Sequence, residues 1–333
     1  MAEKKLSVAV IGGGSWATAL VKILSNNVDK IHWWVRSAET AEYIRKHRHN
    51  PKYISDVEID TAKVEVGNDL QRAIAGAEVI ILAVPSAFLK EALSPIAPEH
   101  LKGKIIFSAI KGIVPDDLMI VGEFMNKKYN VPLENFGVIT GPCHAEEVAM
   151  EKLSYLTLAS QKISNVEMLS LLLNCRYIRT TLSDDIYGTE YAAVMKNVIA
   201  IGSGICHGLG YGDNFQAVLV ANSIQEIKRF VDAVHPITRD INDSAYLGDL
   251  LVTAYSQFSR NRTFGTMLGK GYSVKNAQLE MNMIAEGYYA AKCIHELNKK
   301  LNVKMPVTDA VYAVLYEKKS AAEEMKMLAE KLS

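Results

Sequence analysis

Short runs of β-branched and aliphatic residues punctuate the first half of the chain: Ser7–Ile11, Ile31–Val35, Val79–Val84, Lys104–Ala109 and Phe136–Thr140. They alternate with stretches of helical spacing. None shows strict apolar–polar alternation, and unbroken apolar runs are the pattern of parallel strands covered on both faces. Tyr155–Ala159 and Tyr177–Thr181 continue the series. Strands separated by helices predict an α/β fold with a doubly wound, Rossmann-like sheet. Past Asp185 the pattern changes to helical spacing over Ile186–Ile205, Asn214–Val234, Leu247–Ser256, Met281–Asn298 and Val307–Tyr316. The tail Ala321–Leu332 consists of good helix formers. The predicted division is a Rossmann-like domain over residues 1–189 and an all-α domain over residues 190–333. No repeat, low-complexity linker or long charge block separates them, so the boundary reads as a direct strand-to-helix transition.

Composition adds limits. A chain of 333 residues is long for one core, in keeping with two domains. Lys plus Arg and Asp plus Glu both total 37, so the formal net charge is zero. No global basic field exists to draw in nucleic acid or an anionic membrane. An anionic ligand must be met by locally placed cations. Cys143, Cys175, Cys206 and Cys293 are widely spaced, with no CxxC or Cys/His metal pattern. They read as reduced thiols of a cytoplasmic protein, with no metal site. Lys4 and Lys5 before Val8–Ile11 resemble the start of a signal peptide, but Gly12-Gly13-Gly14 ends the apolar run too early. No apolar segment approaches the roughly 20 residues that span a bilayer.

The first strand runs into Gly12-Gly13-Gly14-Ser15-Trp16-Ala17, which fits Gly-x-Gly-x-x-Gly/Ala through Gly12, Gly14 and Ala17. In that motif the first glycine allows a tight turn and the second lets a pyrophosphate approach the backbone. The small third residue lets helix pack on strand, and the helix N-terminus offers N–H groups to phosphate. The position after the second strand, where a carboxylate usually binds the ribose of NAD, is occupied by Arg36. An arginine there suits stacking on adenine or pairing with a 2′-phosphate, so both NADH and NADPH stay open. Trp33 and Trp34 read as core, at least in part.

Lys196 lies in the apolar stretch Val194–Ile201. A lysine buried without a partner is costly, and one whose pKa falls toward neutrality exchanges a proton near pH 7. On a helix its face is shared by Thr189, Ala192, Ala193, Ile199, Ala200 and Ser203, all small except Ile199. That suits the floor of a cavity. The competing reading is a lysine whose ammonium reaches water along its stem. Lys111-Gly112 and Gly141-Pro142-Cys143-His144-Ala145 follow strands at the end where such sheets bind ligands. Asp249, after Gly248, reads either as a helix cap or as a partner for Lys196. Ser259-Arg260-Asn261-Arg262 reads as a solvated basic loop or as a phosphate clamp, since guanidinium offers a planar fork of donors. Glu286-Gly287 falls at a helix start or bend.

Together these blocks resemble the NAD(P)-dependent sn-glycerol-3-phosphate dehydrogenases of the bacterial type, over essentially the whole chain. The resemblance rests on Gly12–Leu20, Lys111-Gly112, Gly141-Pro142 with Ala145-Glu146-Glu147, Lys196-Asn197-Val198 with Ala200-Ile201-Gly202, Gly208–Asn214, Gly248-Asp249-Leu250, Ser259–Arg262 with Phe264-Gly265, and Glu286-Gly287. It implies an oxidoreductase that interconverts dihydroxyacetone phosphate and sn-glycerol 3-phosphate with NAD(P)H, feeding glycerophospholipid synthesis. It implies Lys196 as proton donor and acceptor, and Asp249 is expected to orient that lysine and balance its charge. It implies substrate contacts at Lys111, Gly141, Cys143, Asp249, Ser259, Arg260 and Asn261. Cofactor contacts fall at Gly12, Gly14, Ser15, Trp16, Ala17, Arg36, Lys111, Ala145, Arg260 and Glu286. The expected partner is a small phosphorylated molecule, with a homodimer through the helical domain.

The chain departs from the family pattern in places. Ala17 takes the third glycine position, Cys143 stands where serine is usual and His144 where phenylalanine is common. Asn222-Ser223 replaces a common Arg-Gly pair, which bears on any ion pair that arginine makes in relatives. Two other readings share parts of the pattern. Another two-domain hydroxyacid or hydroxyacyl dehydrogenase with a lysine acid/base would keep the glycine loop and Lys196-Asn197 but not Ser259–Arg262. A non-catalytic dinucleotide-binding regulator would have no need of Lys196 and Asp249 together.

Overall fold

The computed structural model describes residues 6–281 and 285–333. Lys4 and Lys5, and residues 282–284 of the helix expected over Met281–Asn298, lie outside that range. The chain divides into two compact units, Met1–Ile110 with Val121–Ile186, and Lys111–Ile120 with Tyr187–Ser333.

The first unit is a sheet of eight strands covered by helices. In chain order its strands are β1 (Val8–Ile11), β2 (Ile31–Trp34), β3 (Val64–Gly67), β4 (Val79–Leu82), β5 (Ile105–Ser108), β8 (Phe136–Thr140), β9 (Ser154–Ala159) and β10 (Ile178–Ser183). Their spatial order is β10-β9-β8-β5-β4-β1-β2-β3. The helices are α1 (Ser15–Leu24), α2 (Ala38–His47), α3 (Leu70–Ala75), α4 (Leu89–Leu93), α5 (Val121–Tyr129), α6 (Ala145–Ala149) and α7 (Ile163–Leu173). The order reverses between β1 and β4, which both pair with parallel register, Ile11 beside Leu82. Ligands of doubly wound sheets sit outside the carboxyl ends of the strands at such a switch point. The central strands β1, β2 and β4 are buried along their whole length, which explains their unbroken apolar runs.

Two features differ from the sequence reading. β3 has no counterpart in it: this edge strand is four residues long and only alternately buried, too short a signal to stand out. β9 pairs antiparallel with β8, whereas β10 runs parallel to β9. Helix α6, the element between β8 and β9, has five residues and spans only about 7.5 Å. A helix that short cannot carry the chain back along a strand of roughly 17 Å, so β9 returns in the opposite direction.

The second unit contains the two-stranded hairpin β6 (Ile113–Val114) and β7 (Met119–Ile120), followed by helices α8 (Ile186–Gly208), α9 (Asp213–Val234), α10 (Asp249–Tyr255), α11 (Arg260–Gly269), α12 (Val274–Glu280), α13 (Glu286–Leu301), α14 (Pro306–Tyr316) and α15 (Ala321–Ala329). Ile113 and Ile120 are buried in the same core as Val198, Ile201, Phe230 and Ile294. That packing carries the hairpin, and Lys111 before it, into the helical unit. Ser259–Arg262, open between loop and clamp in the sequence, begins α11. Ser259 is its N-cap, accepting a hydrogen bond from Arg262 N at 3.3 Å.

Glycines set how closely α8 and α11 approach. A Cβ at Gly204 would collide with the carbonyl of Arg262, and one at Gly265 with that of Ile201. Gly208 and Gly269 repeat the contact about one turn along, against the carbonyls of Thr266 and Ile205. The helix backbones therefore touch, and the start of α11 is held at a fixed place on α8. Asn222 donates to the backbone oxygen of Ser333 at 2.8 Å and so holds that residue against α9.

Candidate active site

In the sheet unit the glycine loop leaves β1 and enters α1. Gly12 has φ +141°, and a Cβ there would strike the Ala83 carbonyl, so only glycine fits. Gly14 is the N-cap of α1 in extended conformation, with no side-chain cap. A Cβ on it would meet only open space, so Gly14 leaves a clear approach to the first-turn N–H groups. Ser15 opens the helix, and the Nε1 of Trp16 is buried without a hydrogen-bond partner. Ala17 is fully buried, small enough for helix to lie on strand. Trp33 is core, yet its Nε1 donates to the Gly12 carbonyl at 2.7 Å and pins the loop.

A cavity of about 320 Å³ opens beside this loop, lined among others by Gly12, Gly14, Trp34, Arg36, Tyr53 and Phe88. Asn50 builds its far wall. Its Nδ2 donates to Gly13 O at 3.0 Å and Thr18 Oγ1 at 2.9 Å, and its Oδ1 accepts from the N–H groups of Lys52 and Tyr53. Sequence reasoning missed Asn50, because nothing local marks an asparagine that bonds a loop 37 residues away. Apolar walls, bare glycine backbone and an exposed arginine suit a dinucleotide: adenine against Tyr53 and Phe88, pyrophosphate at the start of α1. Gly141, just past β8, has φ +104°, and a Cβ there would press on the Tyr155 carbonyl. Cys143 Sγ donates to Gly141 O at 3.4 Å, and Ala145 is the first residue of α6.

The helical unit holds the charged cluster. Lys196 is 5% exposed and Asp249 1% exposed, and their side chains form an ion pair. Lys111 Nζ reaches the other carboxylate oxygen of Asp249 at 3.0 Å. One carboxylate is thus shared by two lysines from segments far apart in the chain. Burial alone would push the Asp249 carboxyl up, but the charges of Lys111 and Lys196 outweigh it and hold its pKa below the ordinary value. Asp249 follows a π-helical turn, Ser244–Gly248, and is the first residue of α10, whose N-cap position is Gly248, so the geometry supports its role as a lysine partner over the cap. The small neighbours expected around Lys196 are all buried.

Two further residues organise the cluster: Thr253, which went unnoticed in the sequence, and Asn197, which entered it only as part of the Lys196-Asn197 block. Thr253 Oγ1 stands 2.9 Å from Lys196 Nζ and donates to the Asp249 carbonyl at 2.6 Å. Its place one helical turn after Asp249 was the available signal. Asn197 donates from Nδ2 to the Lys111 carbonyl at 2.7 Å, tying the hairpin segment to α8. At the start of α11, Ser259 caps the helix, Arg260 is its first residue, and Asn261 is buried. Glu286 is the first residue of α13. The expected residues therefore fall into two sets. Gly12, Gly14, Ser15, Trp16, Ala17, Arg36, Gly141, Cys143 and Ala145 belong to the sheet unit. Lys111, Lys196, Asp249, Ser259, Arg260, Asn261 and Glu286 belong to the helical unit.

No group of three or more His, Cys, Asp or Glu side chains that would hold a metal occurs among the described residues. No helix among them is long and apolar enough to cross a membrane.

Comparison with known proteins agrees in both units. Residues 7–166 match the model of the N-terminal part of NAD-dependent glycerol-3-phosphate dehydrogenase. Residues 185–326 match that of its C-terminal part. A glycerol-3-phosphate dehydrogenase [NAD(P)+] of Oceanobacillus iheyensis is 33% identical over 96% of this chain and 93% of its own length. The Bacillus subtilis protein of the same name is 34% identical over 93% and 90%. The crystal structure of glycerol-3-phosphate dehydrogenase (gpsA) from Coxiella burnetii superposes with a TM-score of 0.91 at 28% identity, covering 98% of this chain and 99% of that one. With the glycine loop in one unit and the lysine-bracketed carboxylate in the other, the chain belongs to the NAD-dependent glycerol-3-phosphate dehydrogenase family.

Proposed function

We propose that this protein interconverts dihydroxyacetone phosphate and sn-glycerol 3-phosphate with NAD(P)H, and that Lys196 is its proton donor and acceptor. The observation that carries the reading is the sharing of Asp249 between Lys196 and Lys111. Two ammonium groups face one carboxylate there, an arrangement that suits a phosphorylated substrate and an oxygen that becomes negative during reduction.

Gly12, Gly14, Ser15 and Trp16 hold the pyrophosphate end of the cofactor at the start of α1, with Ala17 giving the close packing there. Arg36 meets the adenosine end, and Lys111, Ala145, Arg260 and Glu286 complete the contacts. Reduced nicotinamide, when bound, supplies the hydride to the ketone carbon. Lys196, as ammonium, gives its proton to the carbonyl oxygen as negative charge develops there. Asp249 orients Lys196 and favours its charged form beforehand. After the transfer Asp249 still has Lys111 as counter-ion, so no buried carboxylate is stranded beside a neutral amine. In the reverse direction neutral Lys196 takes the proton of the alcohol. Acid–base catalysis of this kind contributes about 10²–10⁴-fold. Arg260, Ser259 and Asn261 bind the phosphate, with Gly141 and Cys143 as further substrate contacts.

The product's chemistry places the enzyme before acylation of glycerol phosphate, that is, in glycerophospholipid synthesis. A cytoplasmic location and a homodimer through the helical unit complete the reading. Exposed Val218, Leu251, Tyr255 and Phe258 supply apolar surface for that contact. Oxidation of NADH and of NADPH at 340 nm, with dihydroxyacetone phosphate as acceptor, tests the main proposal. Turnover with at least one cofactor is expected, and none with either would refute it. Sedimentation equilibrium tests the dimer.

A further inference from the structure

The backbone N–H of Gly287 donates to Oδ1 of Asn261 at 2.9 Å, in a buried bond between the start of α13 and the start of α11. An N–H can be met only by the oxygen of a carboxamide, so this bond decides which way the Asn261 amide faces. Its Nδ2 is turned the other way and has no acceptor among the described residues. The same glycine makes the approach possible, because a Cβ on it would collide with the carbonyl of Asn197 on α8. Gly287 is therefore wedged between the residue after Lys196 and the residue after Arg260.

We propose that Gly287 is a positioning residue for phosphate recognition: its N–H fixes the Asn261 amide so that Nδ2 is presented as a donor to the phosphate of the substrate. The inference rests on the proposed reduction of dihydroxyacetone phosphate and adds to it the group that orients one of its ligands. Ordinary freedom about the terminal torsion of asparagine would let oxygen and nitrogen exchange places. An oxygen facing phosphate repels it, whereas a nitrogen donates to it. A fixed amide avoids that loss in half of its orientations, and a glycine at the second position of α13 spends an N–H that has no partner within its own helix.

Two variants and two substrates test the proposal. Asn261→Asp keeps an oxygen for Gly287 and replaces the donor arm with a second oxygen. Gly287→Ala keeps the N–H but forces α13 away from α8. The readout is the ratio of kcat/KM for dihydroxyacetone phosphate to that for unphosphorylated dihydroxyacetone, which a purely structural defect lowers in both terms alike. Asn261→Asp is expected to lower the ratio about 10- to 100-fold, as for a hydrogen bond to a charged group. Gly287→Ala is expected to lower it in the same direction, mainly through KM for the phosphorylated substrate. An unchanged ratio in either variant overturns the proposal. Exchange of the Gly287 amide proton, followed by NMR in glycine-labelled protein, needs no substrate and no turnover. It should be slow in the wild type and in Asn261→Asp and fast in Asn261→Ala. Equal exchange in all three would show that no clamp exists, even in a protein that reduces neither substrate.

Discussion

The hydroxyl of Thr253 accepts a hydrogen bond from Lys196 Nζ at 2.9 Å, because its single proton is already committed to the Asp249 carbonyl at 2.6 Å. With one lone pair facing the lysine and the Asp249 carboxylate as second acceptor, the ammonium is held from two sides. Thr253→Val keeps the shape and removes the acceptor. Steady-state kinetics should show kcat reduced about 10-fold, the worth of one hydrogen bond to a charged group, with KM for dihydroxyacetone phosphate changed far less. Thr253→Ser should restore most of the rate. A Val variant with wild-type kcat would remove Thr253 from the orientation of Lys196.

Lys196→Ala removes the proposed proton donor and should lower kcat by about 10²–10⁴-fold. The glycine loop lies in the sheet unit, so NADPH affinity, read by fluorescence titration, should stay near that of the wild type. Wild-type turnover in this variant would sink the assignment.

Asp249→Asn strands the buried Lys196, and the part-buried Lys111, without their counter-charge. Removing one partner of a buried pair costs about 3–5 kcal/mol, so a large fall in melting temperature should accompany the lost activity. The same pairing predicts an acid limit. Asp249 has its pKa depressed in the folded state by Lys111 and Lys196. Its contribution is present above the ordinary aspartate pKa and is lost as pH falls through the lower folded value. Thermal melts at decreasing pH should show an acid-side loss of stability that Asp249→Asn lacks.

Arg260→Ala should act on substrate capture. KM for dihydroxyacetone phosphate should rise more than 10-fold, since charge-assisted contacts to phosphate are among the strong ones, while unphosphorylated dihydroxyacetone is affected little. An unchanged KM would remove the phosphate role.

Glu226 predicts the opposite pH trend from Asp249. Its carboxylate is fully buried on α9 and accepts from Val307 N, Thr308 N and Thr308 Oγ1 at the start of α14. Burial is the largest influence and pushes its pKa up to about 7, against the pull of those hydrogen bonds. The unfolded chain releases this proton near 4.5. Between the two values the folded protein holds a proton that the unfolded chain has lost, so stability falls as pH rises through this window. Melting temperatures across it should decline in the wild type and decline less in Glu226→Gln, which has no charge to gain. Parallel curves for the two proteins would refute the assignment.

Local signals carried much of this protein into view from its sequence alone. The apolar runs of β1, β2 and β4 have the length and composition of buried strands, and Gly12 and Gly14 sit where a strand must turn into a helix. These are short-range constraints, set by backbone sterics and by burial on both faces, and they are written in adjacent residues. The helical spacing of α8, α9 and α14 was legible for the same reason. The pairing of Asp249 with Lys196, 53 positions earlier, was expected, although the local pattern alone also allowed a helix cap. The sharing of its carboxylate with Lys111, 138 positions earlier, was not legible, and only the fold brought the two together. The reversal of β9 depended on a five-residue helix too short to cross the sheet. The Asn261–Gly287 bond depended on glycine contacts that let three helices meet. The sequence determined which elements form and which residue types are available. Tertiary packing decided which carboxylate serves which lysine, because burial makes an unpaired charge so costly that partners must be found wherever the chain folds back.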